Sequence, residues 1–141
     1  MTRCVFCDII AGRAPASLVY QDDQVVAFMD TRPVNAGHVL VVPRTHAASL
    51  AEMEPETGGV LFRTGMRLGA ALRRSGLNCE GINLYVADGA TAGQEVFHVH
   101  LHVLPRFPRD GFGFRFPPGY GHHPSRQMLD EQATAIRGAL V

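Results

Sequence analysis

The sequence lacks three features that would each point to a particular class of protein. Its 141 residues carry 13 basic and 13 acidic side chains, so no excess of one charge predicts a nucleic-acid partner. No apolar run approaches the roughly 18 residues that a membrane-spanning helix needs. The N-terminal stretch MTRCVFCDII has neither the apolar core nor the cleavage site of a signal peptide. These absences predict a cytoplasmic protein that engages neither membranes nor nucleic acids.

Cysteine is also scarce. The chain has three cysteines, two of them in CVFC at residues 4–7, and this odd number does not make the disulfide framework of a secreted domain. The length predicts a single domain over residues 1–141.

Short strand patterns surround one long helical pattern. The helix is predicted to open at Pro55 and to end at Gly76, with Val60, Leu61, Leu68 and Leu72 as its apolar stripe. A second helix is predicted over residues 125–140. Five strands are predicted within residues 16–23, 24–30, 38–43, 82–87 and 96–105, the last of them central. This order indicates an α+β fold.

The stretch HVHLHVLP at residues 98–105 contains three of the seven histidines. Residues two apart on a strand face the same side, which groups His98, His100 and His102 on one face and places the aliphatic residues between them in the core. Same-face neighbours lie about 6.6 Å apart, whereas metal–nitrogen bonds measure only about 2.0–2.1 Å. Two of the rings can share a metal but hardly all three, so the row must serve more than one task.

Covalent phosphoryl chemistry is one such task. A neutral imidazole is a competent nucleophile towards phosphorus, and neighbouring donors can stabilise the developing charge. The preceding loop, DGATAGQE, contains Gly89 and Gly93, which permit a close backbone approach to a phosphate. A half-buried strand with a histidine-bearing polar face is the alternative.

HVHLHVL resembles the His-x-His-x-His-x-x signature of the histidine triad superfamily, in which x is apolar. Residues 4–46 resemble the N-terminal half of bacterial members, and residues 81–106 resemble the strand-loop-strand core. The resemblance covers a core of residues 4–106 and fades over a variable tail of residues 107–141. It implies a five-stranded antiparallel sheet with one long and several short helices, a homodimer, and a nucleotidyl hydrolase or transferase acting at the α-phosphate of a nucleotide conjugate.

The resemblance also implies roles for individual residues. His100 matches the nucleophile, His102 a phosphate contact that aids leaving-group departure, and His38 a supporting histidine. Phe28 and Asp30 match positions that stack on the base and bind the ribose, and the expected nucleotide contacts extend to Gly93, Gln94, Glu95, Val96, His100 and His102. A carbonyl-bound His38, a core Phe28 and a turn-forming Asp30 are the structural alternatives.

Two positions depart from the pattern. Many relatives carry Asn or Gln where this chain has Ala87, so a phosphate contact is either missing or moved to Asp88. Some relatives carry Ser or Thr where this chain has Glu95. A carboxylate there would repel a polyanionic leaving group, favour an amine, or face solvent, which leaves the choice between phosphoramidates and dinucleoside polyphosphates open.

A structural zinc ion is expected at Cys4, Cys7, His46 and His98. The spacing of CVFC is typical of zinc knuckles, although a redox pair is an alternative. His98 and His46 are the candidate further ligands, and bacterial histidine triad proteins with this Cys-x-x-Cys resemble the chain at all four positions.

Other functions remain open from sequence. They are a non-catalytic nucleotide-binding regulator, a nucleotide phosphorylase, and a metalloenzyme that uses zinc-bound water. Gly65 and Gly69, four residues apart on the long helix, are either simply tolerated there or mark a close approach to the sheet or to a partner helix.

Overall fold

We describe residues 3–141 of the protein in a computed structural model. Three α-helices form, α1 at Val5–Ile10, α2 at Pro55–Arg74 and α3 at Arg126–Ala139. Short 3₁₀ turns occupy Leu50–Glu52 and Ala90–Ala92. Within the described residues no helix is long and apolar enough to cross a membrane.

Five strands form one antiparallel sheet, which confirms the predicted α+β fold. They are β1 at Leu18–Gln21, β2 at Val25–Met29, β3 at Val39–Pro43, β4 at Gly81–Tyr85 and β5 at Leu101–Arg106. Their order across the sheet is β1-β2-β3-β5-β4. Strands β2 and β4 therefore lie on opposite sides of the β3–β5 pair.

Helix α2 covers one face of the sheet. Its predicted stripe of Val60, Leu61, Leu68 and Leu72 is buried in a cluster with β-strand residues such as Val41. Gly65 and Gly69 lie against the sheet, because a Cβ on Gly65 would lie 2.6 Å from Cδ2 of Leu101 on β5 and a Cβ on Gly69 would lie 3.6 Å from Cγ2 of Ile82 on β4. A larger residue at position 65 would require the buried Leu101 side chain to shift.

The opposite face carries a row of four neighbouring side chains. Strand pairing places Phe28 beside Leu40, Leu40 beside His102, and His102 beside Tyr85. Directly paired residues of an antiparallel sheet project from the same face. Helix α1 packs on the Phe28 end of this face through Phe6, so an aromatic end and a histidine end lie along a single line.

The predicted strand over residues 96–105 is too long and is not central. Strand β5 begins at Leu101, and β3 takes the middle position. In the observed register, Pro43 would oppose Val99 if the ladder continued, but proline has no N–H to donate. Val99 instead donates its N–H to the carbonyl of Ala47 at 2.8 Å, so His98 and His100 lie on an irregular segment before the strand.

Helix α3 confirms the second predicted helix, but none of its residues is buried. Its apolar side chains include Met128 and Ile136, which are 51% and 66% exposed, and Leu140, directly after the helix, is 74% exposed. The segment before the helix carries further exposed aromatic rings, including Phe114 and Tyr120. Residues 107–141 thus present apolar surface that the rest of the chain leaves uncovered.

Candidate active site and metal centre

A cleft of about 610 Å³ opens on the sheet face that carries the cross-strand row. Helix α1 and the segment that follows it wall one end with Phe6, Ile9, Pro15 and Ala16. The middle contains His100 and His102, and the far end contains Tyr85 and Phe112. The cleft therefore runs from an apolar end, past two imidazoles, to a second aromatic end.

His100 is held in a defined orientation. Its Nδ1 lies 2.8 Å from the carbonyl oxygen of His98, which can only accept a hydrogen bond. A neutral His100 must then carry its proton on Nδ1 and leave Nε2 with a free electron pair. The ring also packs edge-on against Phe6, with centroids 5.2 Å apart. This arrangement presents the nitrogen that a nucleophile needs.

A chain of hydrogen bonds fixes the other two cleft histidines. The backbone N–H of Val34 donates to Nδ1 of His38 at 3.1 Å, so the proton of a neutral His38 is on Nε2. That Nε2 lies 2.9 Å from Nδ1 of His102, which must accept. His102 therefore carries its own proton on Nε2 and can offer it as a hydrogen-bond donor.

The surroundings keep this pair neutral. Burial, with the neighbouring histidines adding to it, lowers the pKa of His102 to about 4. Burial likewise lowers the pKa of His38, against the opposing effect of Asp30. The ring of Tyr85 stacks on His102 with centroids 4.3 Å apart and an interplanar angle of 7°. At neutral pH His38 and His102 are thus uncharged, with assigned tautomers.

Asp30, His38 and His102 also bring three potential metal-ligating atoms within 4.8 Å of one another. The bond from Val34 argues for a hydrogen-bond chain instead of a metal site. A metal on Nε2 of His38 would move the ring proton to Nδ1, where it would oppose the N–H of Val34. We therefore interpret His38 and His102 as a chain of hydrogen bonds that starts at the N–H of Val34.

Most of the predicted nucleotide contacts line the cleft, namely Phe28, Asp30, Gly93, Glu95, Val96, His100 and His102. Phe28 is 2% exposed and belongs to the core beneath α1, which agrees with the structural alternative, while its contact with a base stays a prediction. Oδ1 of Asp30 accepts the N–H of Arg32 at 2.9 Å, as in a turn, whereas Oδ2 lies 3.7 Å from Nε2 of His38. One oxygen of Asp30 therefore stabilises a turn, and the other faces His38.

Gln94 lies behind the cleft. Its side-chain oxygen accepts the N–H of Gly89, and its side-chain nitrogen donates to the carbonyls of Ala48 and Val96. The N–H groups of Ala92, Gly93 and Gln94 bond within the same loop, so these three amides are not free to cradle a phosphate. The left-handed backbone of Gly93, at φ +95°, instead allows the tight turn.

Ala87 lines the cleft, whereas the Asp88 side chain accepts the N–H of Leu50 at 3.0 Å. Asp88 therefore takes part in loop structure and does not replace the phosphate contact. Glu95 forms an exposed ion pair with Arg32 at 2.5 Å, and both residues line the cleft.

Sequence reasoning missed several cleft residues. The position of Tyr85 beside His102 could not be predicted, because it depends on the register between β4 and β5. Phe6 follows from the apolar pattern of α1 only once the helix is known to cross β2. Arg32 and Phe112 come from loops, whose placement no periodicity predicts.

The four predicted zinc ligands converge behind the cleft. Nδ1 of His98 lies 3.4 Å from Sγ of Cys4, 3.6 Å from Sγ of Cys7 and 3.1 Å from Nδ1 of His46. Sγ of Cys7 lies 3.4 Å from Nδ1 of His46. A tetrahedral zinc ion with ordinary bond lengths keeps its ligand atoms roughly 3.3–3.8 Å apart. The donor set and its spacing therefore fit a closed zinc site.

The protonation states also fit a metal. Nε2 of His98 lies 2.8 Å from the carbonyl oxygen of Pro43, so the proton is on Nε2 and Nδ1 is free to ligate. Burial lowers the pKa of His98, which keeps the ring neutral. Burial and the adjacent Cys4 raise the pKa of Cys7. Two thiolates at this distance repel each other, and a bound cation would stabilise both. Cys79 is buried in the core beneath α2, apart from this site.

Fold and cleft together define a small α+β protein with an ordered row of imidazoles on one sheet face. A model of the HIT domain matches residues 11–109. An uncharacterized HIT-like protein of Borreliella burgdorferi is 46% identical over 116 residues, which cover 82% of this chain and 84% of that protein. The chain belongs to the HIT family.

Further relatives extend the comparison to structure and activity. A HIT family protein from Bacillus anthracis matches the structure with a TM-score of 0.89 at 34% identity, over 98% of this chain and 97% of that one. A Zn-bound histidine triad family protein from Mycobacterium smegmatis matches with a TM-score of 0.76 at 38% identity, over 97% of both chains. The adenylylsulfatase HINT3 of Arabidopsis thaliana is 37% identical over 108 residues, which cover 76% of this chain and 54% of that protein.

Proposed function

We propose that this chain is a nucleotidyl hydrolase or transferase that acts at the α-phosphate of nucleoside phosphoramidates or dinucleoside polyphosphates through a nucleotidyl–His100 intermediate. The observation that supports this most is the bond from Nδ1 of His100 to the carbonyl of His98. In a neutral His100 this bond places the proton on Nδ1, so that Nε2 carries the free electron pair in the cleft. As Nε2 bonds to phosphorus, the ring becomes positively charged, and the same carbonyl stabilises that charge.

The first step forms the bond between Nε2 of His100 and the α-phosphorus while the bond to the leaving group breaks. The electron pair of that bond stays on the leaving atom, and a leaving amine takes up one proton from solvent. In the second step water attacks phosphorus, its proton returns to solvent, and the electron pair of the P–N bond returns to His100. The product is a nucleoside monophosphate.

His102 acts as a catalytic hydrogen-bond donor in this scheme, and His38 positions it. Nε2–H of His102 donates to a phosphoryl oxygen or to the leaving atom, because its Nδ1 is occupied by His38. Negative charge grows on these atoms in the transition state, where a pre-oriented donor is most effective. A donor of pKa about 4 stays neutral and keeps this orientation at neutral pH.

The nucleoside occupies the α1 end of the cleft in our proposal. Val5 and Ile9 line the cleft with apolar surface for a base above the nearly buried ring of Phe28. Oδ2 of Asp30 can accept from a ribose hydroxyl. Zinc at Cys4, Cys7, His46 and His98 would have a structural role, since four protein ligands leave no open position for water. It would fix His98, whose carbonyl orients His100.

The test is intact-protein mass spectrometry after rapid mixing with an adenosine phosphoramidate and, separately, a diadenosine polyphosphate. We expect a transient adduct of one adenylyl group per chain, mapped to His100 by peptide analysis. The product should be the monophosphate whether or not inorganic phosphate is present. Nucleotide binding without an adduct or product would favour a regulatory protein, and a phosphate-dependent diphosphate product would favour a phosphorylase.

We also propose that the chain acts as a homodimer in which α3 packs against the second copy. An isolated 14-residue helix is marginal in water, and α3 exposes the apolar side chains of Met128 and Ile136. The outer face of α2 offers matching apolar surface at Phe62 and Met66, which are 54% and 58% exposed.

Light scattering at micromolar concentration is expected to give twice the 15.3 kDa chain mass. Ile136→Arg should shift the protein towards monomer, because it places a charge in the apolar contact. Thr134→Arg, on the polar side of the same helix, should leave the mass unchanged. A monomeric parent protein would contradict the proposal.

A further inference from the structure

The tautomer of His102 depends on a single backbone N–H group. Nε2 of His38 and Nδ1 of His102 lie 2.9 Å apart, and either nitrogen can carry the one proton between them. With that proton on His38, a neutral His102 has its own proton on Nε2 and is a donor towards the cleft. With it on His102, Nε2 of His102 has a free electron pair that repels a phosphoryl oxygen. The N–H of Val34, which donates to Nδ1 of His38 at 3.1 Å, selects the first arrangement.

Val34 lies in the connection between β2 and β3, which spans residues 30–38. Common hairpin loops have roughly two to five residues, and a longer loop needs contacts outside its own backbone to hold one conformation. The backbone carbonyl of Asn35 accepts the N–H of His38 at 3.2 Å, which closes a turn over these residues. The N–H of Val34 therefore reaches the imidazole only while Asn35 stays in place.

The side chain of Asn35 connects this turn to the end of β5. Its Nδ2 donates to the carbonyl oxygen of Pro105 at 2.9 Å and to Oδ2 of Asp110 at 2.8 Å, which uses both amide protons. Pro105 is on the same strand as His102. One amide group thus connects the loop that orients His38 to the strand that carries His102.

Asp110 is a fixed acceptor for this amide. Its side chain is 6% exposed and accepts hydrogen bonds from Nε and Nη2 of Arg106 and from the N–H groups of Phe107 and Phe112. These bonds, with those from Arg106 contributing most, hold the pKa of Asp110 well below its usual range. The carboxylate is therefore ionised and held from several sides, so the amide of Asn35 has one defined position.

We infer that Asn35, anchored by Asp110, is a positioning residue that sets the tautomer of His102 and thereby makes it a donor. Without the amide, the turn loses its connection to β5 and the N–H of Val34 moves away from His38. The proton of His38 can then shift from Nε2 to Nδ1, and that of His102 from Nε2 to Nδ1, with no change in charge. The consequence for catalysis rests on the proposed function, whereas the tautomer is a property of the protein without substrate.

Nitrogen NMR of protein with isotope-labelled histidine measures the tautomer directly, because a protonated ring nitrogen and one with a free electron pair give distinct shifts. We expect the native protein to show a protonated Nε2 and an unprotonated Nδ1 on His102, whose signals are assigned by their absence in His102→Ala. In Asn35→Ala the reversed tautomer should be populated beside the observed one. Oδ2 of Asp30, 3.7 Å from Nε2 of His38, still favours the observed arrangement, so a mixture is expected and not a complete change.

Asn83→Ala is the matched control. Asn83 accepts a hydrogen bond from Nη1 of Arg106 at 2.7 Å, so this variant removes an asparagine from the same network without touching the turn. It should keep the native tautomer of His102. Asn35→Asp retains the volume of the side chain, but its ionised carboxylate cannot donate to Asp110. This variant should shift the tautomer as Asn35→Ala does, and it provides the test if circular dichroism shows that the truncated protein does not fold.

Kinetics with an adenosine phosphoramidate test the consequence for catalysis. Asn35→Ala should lower kcat by about tenfold and leave KM within about twofold, because the donor is most effective in the transition state. Asn83→Ala should leave both parameters close to their native values. In a His102→Ala background, Asn35→Ala should cause no further loss, since its effect acts through His102.

A native protein with the proton of His102 on Nδ1, or folded Asn35 variants with the native tautomer, would overturn the inference. The same change of tautomer in Asn83→Ala, or a further loss of about tenfold from Asn35→Ala in the His102→Ala background, would also overturn it. A tautomer that depends on Asn35, in a protein whose His100 never becomes adenylylated, would support the positioning role and reject the proposed function.

Discussion

Replacing His100 with alanine is expected to reduce turnover by roughly 10³-fold or more while the protein remains folded. The imidazole supplies the bond-forming nitrogen, and no neighbouring ring can replace it. Nε2 of His102 is protonated in the observed chain of hydrogen bonds, and Nδ1 of His98 faces the two cysteines. Steady-state hydrolysis of an adenosine phosphoramidate measures the loss, and circular dichroism checks the fold.

Two further histidine variants show whether the loss of turnover is specific to His100. His102→Ala should cost less, about a hundredfold, because it removes a donor and not the nucleophile. His123→Ala, at an exposed tail position, should leave the rate unchanged and controls for the loss of a histidine as such. A His100→Ala protein that retains most of its activity would end the covalent proposal.

The alternating pattern at residues 98–103 predicted which side chains are in the core, but it did not predict the bounds of the strand. It placed Val99, Leu101 and Val103 in the core, where the structure has them, and it divided the histidines between two tasks. It could not predict where the strand begins. That boundary depends on Pro43, a residue more than fifty positions away that ends the ladder by lacking an N–H.

The cleft depends even more on contacts that one sequence does not reveal. Whether Tyr85 lies beside His102 is decided by register, and shifting β4 by one residue would turn Tyr85 to the opposite face. The same limitation applies to Gln94, whose position in the loop suggested a nucleotide contact. Its three side-chain hydrogen bonds are all to backbone groups, and these partners are visible only in the folded chain.

The four candidate zinc ligands could be predicted from sequence because few residue types bind zinc. CVFC fixes two thiols within one helical turn, since Cys4 caps α1 and its Sγ accepts the N–H of Cys7. The two histidines needed the family resemblance, because 39 and 91 residues separate them from Cys7. The structure brings all four donor atoms within 4.8 Å of one another.

Cys4→Ser is accordingly expected to abolish stoichiometric zinc binding and to lower the melting temperature. The native protein, purified without chelator, should contain about one zinc ion per chain. Free zinc at a thousandfold excess over its Kd adds about 4 kcal/mol to folding. Its loss should lower Tm by roughly 10 °C or more for a chain of this size. Elemental analysis and thermal unfolding measure the two effects.

Cys79→Ala is the control for this substitution, because Cys79 is a buried thiol outside the metal site. It should keep its zinc, whatever its own effect on packing. Cys4→Ser should also reduce the rate of hydrolysis beyond its effect on stability. The metal would hold Nδ1 of His98, and the carbonyl of that residue fixes the tautomer of His100. A zinc-free native protein of unchanged stability, or a Cys4–Cys7 disulfide in freshly reduced material, would show that these four residues do not form a zinc site.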